Sequence, residues 1–247
     1  MPAELMVLFY CLLFAVAFLY ASVGHGGASG YLALGAIFEM AKEVMRPTAL
    51  LLNLFVSLTG FIQFYRAKHF VFKIFWPLAL ASVPMAFIGG TINVNPGTYK
   101  IMLGILLLVP IIRFLFFPNI TVDQIRKSNL LLSLLLGGII GFISGIIGIG
   151  GGIILSPVLL LLKWTDQKQT AAISALFIFV NSMSGLLGQL TKGIHFNTNM
   201  ISYVCVAFAG GFLGAYFGAM KFNQNVLKIL LALVLLMASY KLIFTAA

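Results

Sequence analysis

Of the chain's 247 residues, 62% are hydrophobic and only 8% charged, with a mean hydropathy of +1.11; a soluble domain carries about 25% charged residues. Fifteen Lys and Arg with five Asp and Glu cannot coat a water-soluble surface, which excludes a soluble enzyme or nucleic-acid binder and points to an integral membrane protein. The net charge of +10 then belongs in loops facing anionic lipid.

In chain order, apolar stretches cover residues 5–38, 46–65, 70–92, 98–117, 128–163, 169–191, 198–220 and 225–245. They are long and do not alternate apolar with polar residues, so the expected fold is an all-α polytopic membrane protein rather than a barrel. The opening MPAELMVLFY has no basic segment or small-residue cleavage site and is expected to be a first span. Cys11 and Cys205 fall inside apolar runs and are read as reduced core residues. Arg46-Pro47, Arg66 to His69 and Asn93 to Gly97 punctuate the runs. The longest polar stretch begins at Pro118. Residues 118–127 are accordingly assigned as a linker between a first transmembrane repeat, 1–117, and a second, 128–247.

The two halves echo each other. Gly24-His25-Gly26-Gly27 is matched by Gly148-Ile149-Gly150-Gly151, 124 positions later. His69-Phe70 is matched by His195-Phe196 at 126, and Asn95 with Lys100-Ile101 by Asn223 with Lys228-Ile229 at 128. Three such matches in order indicate duplication, and internal repeats are a transporter signature.

Residues 5–38 and 128–163 are too long for single spans. At 1.5 Å per residue, a 34-residue helix would reach roughly 51 Å, well beyond a ~30 Å hydrocarbon layer. Each stretch contains a glycine cluster, and glycine disfavours helix by about 1 kcal/mol per residue. Folding each back as a re-entrant hairpin leaves three full spans per half. It then puts Arg66, Lys68, Lys73, Arg113, Arg126, Lys127, Lys163, Lys168, Lys221 and Lys228 on one side. Lys42, Arg46, Lys100, Lys192 and Lys241 fall on the other, a split of 10 to 5 that obeys the positive-inside rule. The odd span count makes the repeats inverted, with both termini outside.

The acids, Glu4, Glu39, Glu43, Asp123 and Asp166, lie at segment ends or in loops. No catalytic constellation, metal-ligand spacing or cofactor motif is found, so the expectation is a non-enzyme with no metal and no cofactor. Ser144-Gly145 and Ser184-Gly185 are read as packing notches. The glycine breaks, each followed by a short apolar helix, offer helix N-termini whose backbone N–H groups attract anions. Two such tips would form an anion site near the midplane without a buried Lys or Arg. The candidate ligands are Gly24, His25, Gly26 and Gly27 in the first break and Gly148, Gly150, Gly151 and Gly152 in the second. Asn53 and Ser57 join them from the next segment, and Asn181 and Ser184 from its repeat partner. His25, an imidazole with an ordinary pKa near 6.5, is the proton-coupling candidate. Close helix packing is the competing explanation for the glycines. Trp76 and Trp164 flank spans and are expected at the interface.

The run Gly148-Ile149-Gly150-Gly151-Gly152 with Ser156-Pro157 resembles the GxGGGxxxxP pattern of the TauE/SafE family, sulfite-exporter-type permeases of bacterial membranes. Gly24-His25-Gly26-Gly27 looks like its degenerate copy, with Ala28 at the third glycine and Ala33 at the proline position. Asn181-Ser182-Met183-Ser184-Gly185 resembles the family's next helix. The resemblance covers essentially the whole chain and implies a permease in the bacterial cytoplasmic (inner) membrane. Its cargo would be a small sulfur-containing anion: sulfite, thiosulfate or an organosulfonate. The partners expected are that anion and the lipid bilayer, with a homodimer as a candidate assembly and no nucleic acid. A passive anion channel and a non-transporting structural or assembly membrane protein are the alternatives.

Overall fold

The computed structural model describes residues 3–22, 25–116, 125–193 and 199–220, with residues 236, 239, 240 and 243. The described residues form helices joined by short connections, without strands. They are α1 (Ala3–Ser22), α2 (Ala28–Ile37), α3 (Lys42–Arg66), α4 (Phe72–Thr91), α5 (Pro96–Phe116), α6 (Leu130–Ile147), α7 (Gly152–Leu161), α8 (Gln167–Leu190) and α9 (Asn199–Met220). Stretches within α1, α3, α4, α6 and α8 are long and apolar enough to cross a membrane. Leu80, Leu131, Ile139 and Ile201 stand exposed on outer faces, as lipid contact requires.

Local chemistry sets the boundaries. Asn129 caps α6 by accepting from the Leu132 N–H at 3.2 Å. Asp166 and Gln169 form a reciprocal capping box at the start of α8. Each over-long segment breaks at its glycines into a long helix and a ten-residue one, α1–α2 and α6–α7. The short helix turns back each time. Tyr20 near the end of α1 meets Ser29 at the start of α2 (Oη to Oγ 2.7 Å). Phe9, early in α1, packs edge-on against Phe38, just past α2, at 5.2 Å between ring centres. In the second hairpin the Arg126 N–H, ahead of α6, donates to the Lys163 carbonyl beyond α7 at 2.8 Å.

Small residues bring the long helices into backbone contact. Gly137, Gly141 and Gly145 of α6 lie against the backbone of Leu78, Ser82 and Ala86 in α4. Both series ascend together, so α4 and α6 run parallel. Gly210 and Gly214 of α9 meet Phe14 and Phe18 of α1 in the same sense. In contrast, α3 and α8 cross antiparallel: Leu50 lies by Gly185, Asn53 by Ser182 and Gly60 by Ala175. Without a hydrophobic drive inside lipid, such close approach is what holds helices together. Gly145 and Gly185 serve this packing, as the notch reading expects.

Three expectations are corrected. Cys11 and Cys205 are exposed rather than in the core. Trp164 is buried among Ile74, Phe75 and Leu159 rather than placed at an interface. Hydrophobicity cannot separate these cases, because lipid and protein interior are equally apolar. Arg46 is not between segments but inside α3 and buried. Pro47 does not end a helix there, since α3 starts at Lys42 and runs through Pro47 to Arg66. Gly24, His195 and Asn223, together with residues 118–124 of the linker, lie outside the described residues.

Candidate functional site

The two breaks share a backbone solution. Gly27 and Gly151, 124 positions apart, are the N-cap residues of α2 and α7, with φ/ψ of 94°/−2° and 78°/−16°. Only glycine adopts this left-handed region at little cost. Neither N-cap provides a side-chain hydrogen bond to the helix it opens. Gly148 ends α6 at φ 89° and Gly150 follows at φ 72°.

Asn53, halfway along α3 and fully buried, is where the breaks meet. Its Nδ2 donates to the Ile149 carbonyl and to Ser182 Oγ, each at 3.3 Å. A Cβ added to Gly26 would stand 2.9 Å from Asn53 Oδ1, and one added to Gly150 would stand 2.7 Å from Asn53 Nδ2 and from Ser182 Oγ. One amide therefore touches both glycine turns. Its Oδ1 is buried with no hydrogen-bond partner among the described residues. The side chain of Ile178 closes the same space against Gly26, Gly150 and Gly152.

The other sequence-predicted residues are distributed around this point. Ser57 lies one turn along α3 and donates to the Asn53 carbonyl at 2.6 Å. His25 is half-buried, and its backbone N–H donates to the Tyr20 carbonyl at 2.9 Å. Gly151 packs on Phe177 and Ile140. Asn181 and Ser184 turn toward α4: Ser82 donates to Asn181 Oδ1 at 2.8 Å, and Ser184 donates to the Val83 carbonyl. The polar side chain of α8 that meets Asn53 at the breaks is Ser182, adjacent in sequence to Asn181 and about 100° around the helix.

Arg46 is the polar residue whose placement the sequence reading missed. Its guanidinium donates to the Gly145 carbonyl at 3.1 Å and the Ile92 carbonyl at 3.4 Å, and lies 6.0 Å from the Tyr99 ring centre. Tyr99 Oη donates to the Ile147 carbonyl at 2.9 Å. Together they satisfy carbonyls at the C-terminus of α6, where a cation is favoured by the helix dipole. The Lys42-Glu43 pair, good helix formers ahead of Pro47, was the available signal that α3 extends past the proline.

Comparison with known proteins accords with this architecture. The family model described as sulfite exporter TauE/SafE matches residues 9–242. The chain is 32% identical over 241 residues to a probable membrane transporter protein, y4hK, of Sinorhizobium fredii, covering 94% of this chain and 95% of the relative. It is 23% identical over 227 residues to the probable membrane transporter protein YunE of Bacillus subtilis, covering 83% and 82%. No solved structure matches significantly. With most of its length matched and its long apolar helices in place, the chain belongs to the sulfite exporter TauE/SafE family of multi-pass membrane transporters.

Proposed function

We propose that the protein is a secondary transporter that moves a small sulfur-containing anion, such as sulfite, thiosulfate or an organosulfonate, across the bacterial cytoplasmic membrane. The observation that carries this reading is the meeting of Gly26 and Gly150 on the amide of Asn53. Each glycine turn opens a ten-residue helix whose N-terminus carries partial positive charge. An anion between the turns is held by backbone N–H groups of the two breaks and by Asn53 and Ser182. No fixed cation is required there, so release is not opposed by a permanent ion pair. The occupied site lies halfway along α3, within reach of either face if the hairpins move.

Two repeats, 1–117 and 128–247, account for the geometry. The order of long helix, glycine break, ten-residue helix and long helix recurs as α1–α2–α3 and α6–α7–α8. The antiparallel crossing of α3 and α8 supports an inverted relationship, as do the parallel pairs α1 with α9 and α4 with α6. In this reading α1–α2 and α6–α7 are re-entrant hairpins, and inverted repeats provide alternating access.

The test is flux of sulfite, thiosulfate and a sulfonate in proteoliposomes with and without a pH gradient. Saturable uptake that a gradient drives uphill supports a transporter. Uptake that merely follows the anion's own gradient would favour a channel, and no flux of any sulfur anion by folded protein would overturn both.

A further inference from the structure

A second polar feature lies apart from the glycine breaks. Where α3 begins and α4 and α8 end, a cavity of about 300 Å³ is walled by Lys42, Glu43, Arg46, Asn93, Gln189 and Lys192 among others. These residues come from positions 42 to 192 and gather only in the fold. Three cations stand against one carboxylate. Lys42 is committed: it pairs with Glu43 at 3.6 Å and donates to Asn93 Oδ1 at 2.9 Å and to the Val94 carbonyl. Lys192 is exposed and has no ion-pair partner among the described residues.

The wall also holds two unmatched donors. Gln189 is only 4% exposed and Arg46 only 8%, yet Gln189 Nε2 and Arg46 Nε are buried without hydrogen-bond partners among the described residues. Buried donors left unpaired cost free energy, which an acceptor recovers. The carbonyl ends of α4 and α8 oppose an anion here, and Arg46 already occupies one of them, Ile92 O. The remaining positive excess acts in a low-dielectric wall, where it is felt strongly.

We propose that this cavity is a capture site for an oxyanion group, held by Gln189, Arg46 and Lys192 at the mouth of the transporter. The position suits a vestibule: a Cβ on Gly148, in the second break, would lie 3.3 Å from the Arg46 carbonyl oxygen. Asn53 follows seven residues along α3, about 10 Å away. Onward passage rests on the anion-transport reading above; capture stands on the cavity itself. The same chemistry is carried by a free sulfur oxyanion and by a lipid phosphate headgroup.

The experiment measures the melting temperature of the full-length protein in neutral detergent with phosphatidylcholine, titrated with sulfite or, separately, with phosphatidylglycerol. Wild type is expected to be stabilised by one or both. Gln189→Leu and Lys192→Gln should each raise the half-saturating concentration about tenfold, while Lys73→Gln at the opposite end should not. Arg46 variants are avoided because Arg46 also holds α6. Lys192 is exposed, so its variant keeps the packing intact. A response to sulfite assigns the site to a free anion, and a response only to phosphatidylglycerol assigns it to a headgroup. No stabilisation of wild type by either probe, or unchanged half-saturation in both variants, would overturn the capture site. Wild-type binding without flux of any sulfur anion would leave it standing and remove the transport reading. Flux with unchanged binding in the variants would do the reverse.

Discussion

Asn53 in α3 donates a hydrogen bond to Ser182 in α8, 129 positions later, at 3.3 Å. The same Nδ2 also donates to the Ile149 carbonyl in the second glycine break, so one side chain ties a crossing helix pair to an irregular backbone segment. Irregular backbone at membrane depth persists only where protein or water satisfies it.

Asn53→Leu keeps the side-chain size and deletes the donor. Ile149 O then loses its partner, while the unpaired Oδ1 is removed at the same time. The two effects oppose, leaving a destabilisation of about 1 kcal/mol, or a fall of about 2–4 °C in melting temperature. Transport should be lost almost entirely. A thermal melt beside a proteoliposome flux assay checks both parts, and a fully active variant would remove Asn53 from the site.

Two glycine substitutions should move stability in opposite directions. Gly150→Ala demands a left-handed backbone at φ 72° and places a methyl 2.7 Å from Asn53 Nδ2 and Ser182 Oγ. The conformation alone costs about 1–2 kcal/mol, and crowding adds about 1–3 kcal/mol. Gly60→Ala meets nothing nearer than Ala175 Cβ at 4.0 Å and gains helix propensity of up to about 1 kcal/mol. Melting temperature should fall for the first and hold or rise for the second. Gly150→Val should insert in the membrane and fail to transport.

The breaks were legible in sequence because a 34-residue apolar run outreaches the bilayer as one helix, and its glycine cluster is where helix is least favoured. The 124-residue offset that aligns the motifs also aligns Gly27 with Gly151, which adopt the same conformation. What the sequence could not show is which side of an apolar helix meets protein. Cys11, Cys205 and Trp164 were misplaced for that reason, and the single-residue step from Asn181 to Ser182 decides which side chain faces the breaks. The cavity around Gln189 and Lys192 has no local pattern at all, since α3, α4 and α8 must first pack.

The distribution of cations makes a prediction about orientation. The parallel run of α4 and α6 and the return of α7 place Arg66, Lys68, Lys73, Arg126, Lys127, Lys163 and Lys168 at one end of the bundle. Lys42, Arg46, Lys100 and Lys192 lie at the other. The richer end should face the cytoplasm, which places the capture cavity and the start of α1 outside; the even total of spans expected from the sequence, three in each half, puts the C-terminus on the same side. Reporter fusions after Ala247 should behave as external, and a cytoplasmic signal there would reverse the assignment.

The last prediction concerns His25, the one histidine within a glycine break. The second break has Ile149 at the matching position, so the two halves of the site are chemically unequal. An anion beside an imidazole favours its protonated form. Anion and proton would then bind together, the linkage that symport requires. If the protonated form carries the anion, wild-type uptake rises as pH falls. His25→Gln cannot take up the proton, so its rate should be lower and its pH profile flat, while anion binding through the backbone N–H groups persists. Uptake measured from pH 5 to 8 in both proteins, with binding read separately as a melting-temperature shift, decides the matter. An unchanged rate and profile in His25→Gln would make His25 a structural residue of the turn and assign proton coupling elsewhere.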